Sequence, residues 1–192
     1  MDDNAYVYLK TSNTFSHRQT ITTSSILVSY IDITSDGQWL LVVEYYPARV
    51  KIYKNKNDLF NLFQEISPPD GQGSTHAGAI TDDHQWVVFS TYSSPYSLYA
   101  YQLNGSSYEL NQTISVVDDI WTQAITPDHT FMVAGEQGYY VYVYKHNGTQ
   151  FNSLQNFTYS SNYIKLVSIT DDHQYFMVSE VSTKIVHRYK YD

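Results

Sequence analysis

The chain has 192 residues, 42% of them hydrophobic and 16% charged, with 19 Asp+Glu against 11 Lys+Arg and no cysteine. This length supports one compact core but hardly two separate domains, and the formal charge of −8 opposes nucleic acid and anionic lipid as partners. The missing cysteine excludes a disulfide framework, a thiol nucleophile and cysteine-held zinc, and leaves the redox compartment open. No apolar run reaches the roughly 18 residues of a membrane span. Met1-Asp2-Asp3-Asn4 is acidic where a signal peptide is basic and then apolar, so a soluble chain with no membrane span is expected.

In chain order, Tyr6-Val7-Tyr8 and Phe15-Ser16-His17-Arg18-Gln19-Thr20-Ile21 come first, and their meaning emerges from what recurs downstream. Ile33-Thr34-Ser35-Asp36-Gly37-Gln38-Trp39 is followed about 45 residues later by Ile80-Thr81-Asp82-Asp83-His84-Gln85-Trp86. Ile125-Thr126-Pro127-Asp128-His129-Thr130-Phe131 and Ile169-Thr170-Asp171-Asp172-His173-Gln174-Tyr175 then complete the series. Each segment ends one strand (A), turns at Asp followed by Gly or His, and restarts with an aromatic residue leading an apolar strand (B) such as Leu40-Leu41-Val42-Val43. A third strand (C) follows in each unit, as Val50-Lys51-Ile52-Tyr53-Lys54, Leu98-Tyr99-Ala100-Tyr101-Gln102, Val141-Tyr142-Val143-Tyr144-Lys145 and Val186-His187-Arg188-Tyr189-Lys190. It takes up many of the 20 tyrosines, whose rings suit a pleated, half-wet surface. A fourth strand (D) reads aromatic-x-x-x-Gln-x-apolar: Phe60 to Gln64 and Ile66, Tyr108 to Gln112 and Ile114, Phe151 to Gln155 and Phe157. The N-terminal segments fit as C and D.

Four short antiparallel strands per unit with no helical period predict an all-β fold, a β-propeller of four-stranded blades. The expected organisation is one domain over 1–192: partial strands C-D at 1–21, full blades at 28–66, 76–114 and 121–157, and A-B-C at 163–192. Strand types number four A, four B, five C and four D, so there are four blade equivalents and one surplus strand. The N-terminal D strand could complete the last blade beside Lys184–Tyr191. Alternatively, two chains exchange terminal strands, or C-D of one chain completes A-B of the next in a filament, since unpaired edges invite other chains. A fragment of a longer propeller would show the same counts.

The turns resemble the Ser/Thr-Pro-Asp-Gly-x-aromatic turn of WD40-like and lactonase-like (YVTN-type) β-propellers. Thr34-Ser35-Asp36-Gly37-Gln38-Trp39 and Thr126-Pro127-Asp128-His129-Thr130-Phe131 come nearest, and the resemblance covers nearly the whole chain. It implies a repeat type rather than one family, and the Trp-Asp and Gly-His pairs of true WD40 repeats are absent.

His84, His129 and His173 occupy equivalent turn positions. Blades are rotated about an axis, so these side chains point apart and do not gather on one metal. A positive φ, which His tolerates better than most residues, accounts for them, and Asp36, Asp83, Asp128 and Asp172 read as turn formers. Glu44, Glu136 and Glu180, with Thr91 in the second repeat, recur at the end of strand B. Carboxylates gathered at one propeller face could bind a hard cation or act on a lactone or sugar, with Asp32 and His76 the only evident helpers. Tyr45, Tyr46, Tyr92, Tyr96 and Trp121 fall on the same loop face, as does the Pro/Gly-rich connection Ser67–Thr75. Such rings suit stacking on a glycan or a protein partner. The phosphate-loop, nucleophile-elbow and His-Glu-x-x-His motifs are absent, so no catalytic residue, metal ligand or cofactor is assigned.

Asn104, Asn111, Asn147 and Asn156 are Asn-x-Ser/Thr acceptors, glycosylated only in a secreted protein. Asn104-Gly105 and Asn147-Gly148 are also expected as type I′ hairpin turns. The reading is a non-enzymatic propeller that binds or assembles, extracellular or cytoplasmic, its partner a second copy in an oligomer or filament, another protein or a glycan. Its alternatives are a lactonase-like metal-dependent hydrolase and an intracellular interaction scaffold.

Overall fold

The computed structural model describes residues 4–23, 27–69, 71, 73–159, 163–181 and 183–191. Asp70 and Gln72 of the long D–A loop lie outside the described residues. The chain is all-β. Strands β1 (Asn4–Thr11) and β2 (Thr14–Thr22) form a hairpin, followed by three four-stranded antiparallel sheets. Blade 1 is β3 (Val28–Ile33), β4 (Trp39–Glu44), β5 (Arg49–Lys56) and β6 (Leu59–Ile66). Blade 2 is β7 (Thr75–Ile80), β8 (Trp86–Thr91), β9 (Ser97–Asn104) and β10 (Ser107–Ser115). Blade 3 is β11 (Ile120–Ile125), β12 (Phe131–Glu136), β13 (Tyr140–His146) and β14 (Phe151–Thr158). Blade 4 has three strands, β15 (Ile164–Ile169), β16 (Tyr175–Glu180) and β17 (Val186–Lys190). The sheets form a four-bladed propeller. The first strands β3, β7, β11 and β15 line a central cavity of about 310 Å³.

Strand alternation makes each blade apolar on both faces. Leu41 and Val43 of blade 1 meet Val87, Phe89, Tyr99 and Tyr101 of blade 2. Val88 and Leu98 of blade 2 meet Met132, Ala134, Tyr142 and Tyr144 of blade 3. Val133, Val141 and Val143 then meet Phe176 and Val178 of blade 4. The hairpin plays the same part for blade 1, setting Ala5 and Ile21 on Leu40, Val42, Tyr53 and Phe60. Two positions admit no side chain at all. A Cβ on Gly78 would sit 2.5 Å from Val43 Cγ2, and one on Gly135 would sit 2.6 Å from Ile164 Cγ2.

Polar devices repeat in step with the packing. In every A–B turn the Thr hydroxyl donates to the Asp carboxylate, as from Thr34 to Asp36 at 2.6 Å, and the same carboxylate accepts the backbone N–H of the residue two further on. The next position has positive φ in all four turns, at Gly37, His84, His129 and His173, as the turn reading requires. The histidines also reach back one blade: His129 Nδ1 lies 2.8 Å from Asp83, His173 Nε2 lies 3.1 Å from Asp128, and His84 stacks on Trp39.

The D-strand glutamines act as clamps. Gln19 donates to the carbonyl of Phe60 and accepts its N–H, at 2.9 and 2.7 Å. Gln64 grips Tyr108 and Gln112 grips Phe151 in the same two-bonded way.

Two expectations are corrected. β2 does not complete the last blade, because it pairs as a strand with β1 alone, and blade 4 remains three-stranded. The type I′ turns expected at Asn104-Gly105 and Asn147-Gly148 are also not formed, since only the glycine has positive φ in each pair. The turn with two positive φ values is Asn57–Asp58, at 57° and 61°, closing β5 on β6. Its residues tolerate the left-handed region because a short polar side chain can bond locally.

Gly135→Ala is expected to destabilise the fold by about 1–3 kcal/mol through overpacking. Gln112→Ala is expected to cost a similar ~1–3 kcal/mol by stranding the backbone groups of buried Phe151. Urea melts of both variants check this.

Candidate functional site

The end of the propeller where B strands finish and A strands begin carries Glu44, Glu136, Glu180, Tyr45, Tyr46, Tyr92, Tyr96, His76 and Trp121. The three glutamates lie on three different blades, each turned into its own sheet. Glu44 is fully buried and meets Lys51 Nζ at 2.6 Å. Glu136 is fully buried; its Oε1 accepts from the Tyr142 hydroxyl at 2.6 Å and from the N–H groups of Val117 and Asp118. Glu180 is bonded to His187 and Thr183. Lys51, Tyr142 and His187 are equivalent C-strand positions, so one device recurs with three different partners, and in blade 2 Thr91 and Tyr99 take the two places. Among the described residues, no three His, Asp or Glu side chains gather in a way that could hold a metal ion.

The aromatic residues do converge, and around a group that the sequence marks only in part. His76 on β7 packs against the rings of Tyr45 and Tyr92, at centroid distances of 5.1 and 4.6 Å and with those two rings 6.0 Å from each other, and Trp121 stands edge-on at 5.6 Å. Its Nδ1 is 2.9 Å from Oδ2 of Asp119, an acid only 1% exposed. Trp121 extends the row to Tyr163 at 6.2 Å, and Lys165 Nζ sits 5.4 Å over the indole. The row therefore runs from blade 1 to blade 4. Tyr46 is exposed and lies against Gly73, while Tyr96 stands half-buried before β9, away from the cluster's ring contacts.

Asp119, Tyr163 and Lys165 were not legible in the sequence. Asp119 is in a loop just ahead of β11, where no strand period points to it. Asp32 stands apart from this cluster. It lines the central cavity, where its carboxylate accepts the N–H groups of Ile33 and of Ile80 on the next blade.

Burial sets the electrostatics. It pushes the Asp119 carboxyl above the usual range against the opposing pull of His76 and Trp121. It pushes Asp32 and Glu136 up as well, although both accept backbone N–H bonds. The turn aspartates go the other way. At Asp128 burial is overcome by hydrogen bonds from Thr130 and Thr126 and by nearby His173, which hold the carboxyl at about 2. The Thr34 and Thr170 hydroxyls, followed by backbone N–H groups, lower Asp36 and Asp172.

The sequence matches no protein-family model and no curated protein. Among solved structures, the chain is similar to Kuenenia stuttgartiensis hydrazine synthase, with a TM-score of 0.70 and 15% identity over 88% of this chain and 47% of that one. The chain thus spans about half the length of that structure. The likeness is one of fold, and 1226 solved chains share it to a comparable standard, so it singles out no activity.

Two consequences are measurable. Removing the cation with Lys51→Met leaves Glu44 buried beside an apolar group and is expected to cost about 3–5 kcal/mol, read as a loss of denaturation midpoint. The raised carboxyls of Asp32, Asp119 and Glu136 bind protons more tightly folded than unfolded, so their ionisation costs stability as pH rises through their folded pKa values. The lowered Asp36, Asp128 and Asp172 contribute stability that is lost as pH falls below about 3.8 towards 2. Thermal midpoints should therefore rise as pH falls from neutral into the carboxylate range and drop again below it. Asp119→Asn should flatten the rise.

Proposed function

We propose that the chain is a non-enzymatic β-propeller module that self-associates through its two open ends and recognises a ligand on its aromatic loop face. One observation carries the assembly. The hairpin's outward face holds Tyr6 and Tyr8 at 48% and 57% exposure, whereas their counterparts Tyr99 and Tyr144 are buried against a preceding blade. At the other end Leu166, Met177 and Val186 are exposed on the face that would meet a following blade. Each end is thus one side of an inter-blade contact without its other side. An apolar face of this kind favours a partner, and the heterologous pairing of two different ends yields either a ring or a filament.

The alternative of a metal-dependent hydrolase draws little support from Glu44, Glu136 and Glu180, which are separated by blade and engaged inside it. A glycan or protein as ligand is favoured by the row from Tyr45 through His76 and Tyr92 to Trp121. Such rings stack on sugar faces. Secretion fits the exposure of all four acceptor asparagines, Asn104, Asn111, Asn147 and Asn156. A cytoplasmic scaffold would leave them bare, and intact mass of native protein separates the two.

Light scattering tests the assembly. Particles heavier than the 22.2 kDa chain are expected, falling to monomers when residues 1–21 are removed. A monomer at every concentration would overturn it.

A further inference from the structure

We infer that the open ends join by strand exchange: hairpin β1–β2 of a second copy enters blade 4 as its third and fourth strands, displacing β17, and Gln155 clamps the backbone of the incoming Phe15. This rests on the self-association proposed above and names its seat.

The clamp series supplies the first argument. Gln19, Gln64 and Gln112 each grip the backbone of the aromatic residue that opens the next D strand. Gln155 is the next member, and among the described residues blade 4 has no D strand for it to grip. Its side chain is exposed and has no hydrogen-bond partner among the described residues. It lines a cleft of about 170 Å³ between β14 and β17, with Leu154, Phe157, Tyr189 and Tyr191, where a fourth strand would lie. Phe15 opens β2 as Phe60, Tyr108 and Phe151 open their strands, but it is 69% exposed where they are buried.

Register supplies the second. In the blades the tyrosine of strand C pairs two residues past the D-strand aromatic, as Tyr53 with Leu62, Tyr101 with Leu110 and Tyr144 with Ser153. In the hairpin Tyr8 pairs with His17, the same offset from Phe15, and the irregularity follows at the same place. The hairpin is a finished C–D pair that lacks only its A and B strands.

The third argument is the chemistry of the strand that would yield. Opposite Leu41, Val88 and Val133 the C strands of blades 1 to 3 place Ile52, Ala100 and Val143. β17 places Arg188 opposite Met177, its guanidinium 5.2 Å from the Tyr175 ring, whereas β1 carries Val7 at that position. So β17 is made for a wet face and β1 for a dry one. Exchange would also cover Ile31 and Ile33 of the second copy, about half exposed on blade 1, because β15 and β16 would bring Leu166 and Met177 to face them.

The cysteine-free chain makes the test direct. Exchange sets Val7 of one copy opposite Met177 of the other. Val7→Cys and Met177→Cys chains, prepared separately and mixed under oxidising conditions, should form a covalent heterodimer, which neither variant alone forms to the same yield. Gln155→Ala, at an exposed side chain with no present partner, should leave the monomer's melting unchanged and weaken association about 10-fold, the effect of losing two modest hydrogen bonds. Assembly by light scattering without the mixed disulfide would overturn the exchange and leave self-association standing. A Val7→Cys/Met177→Cys double variant that closes only within one chain overturns the second copy as donor. No association at all overturns both readings.

Discussion

A blade in this protein is a sheet without a dry side of its own. Alternation along strands B and C sends Leu41, Val43 and Ile52 to one face and Leu40, Val42 and Tyr53 to the other, and neither set is covered until a neighbour arrives. An isolated four-stranded sheet of this composition would leave both faces in water, at a cost of about 25 cal/mol for each Å² of apolar surface. Stability is therefore held between blades more than within them, as in other repeat architectures where each unit contacts only its neighbours. The same constraint shapes the sequence. Glycine at 78 and 135 is required where adjacent blades approach too closely for a Cβ, and buried tyrosines of strand C fill the wider outer part of the wedge.

Packing by apolar faces is non-directional, and two polar devices add the direction. The glutamine clamps tie D strands at the rim, and the aspartates of the A–B turns tie successive turns at one end, where His129 and His173 reach Asp83 and Asp128. Gly37 stands at the histidine position in blade 1. These ties satisfy backbone groups that the sheet ladder leaves over. Their register is set by strand period, so a blade displaced by two residues would lose them all while retaining much of its apolar contact.

Much of this was legible beforehand, and for a physical reason. The repeat is visible because each blade solves the same packing problem, so the same residue types return at the same offsets: Thr and Asp at the turn, aromatic and Gln on strand D. The positive φ at His84, His129 and His173 followed from Gly37 in the equivalent place. What escaped was whatever depends on side-chain direction at the loop end. Glu44, Glu136 and Glu180 read as a gathered set because they share a strand position, but the propeller's rotation separates them and each finds an inward partner. His76 and Asp119 meet although they lie on different blades, and no period within one strand relates them. The hairpin turns failed for a similar reason. Asn-Gly is sufficient for a type I′ turn only if strand pairing leaves two residues in the loop, and the His146–Phe151 pair leaves four, while Gly105-Ser106 shifts the two-residue loop one place along.

The two ends of the chain need not be equally dry. On blade 4, β17 places Arg188 where the other blades have an apolar residue, against Tyr175, so the face that exposes Leu166, Met177 and Val186 carries a charge in its middle. The outward face of the hairpin carries Tyr6, Tyr8 and Phe15, with Lys10 and His17 among them. In the self-association proposed above, a short replaceable strand at one end and an aromatic face at the other would favour addition of copies in one direction. The like charge of each copy opposes that addition, and added salt would weaken the opposition by screening it.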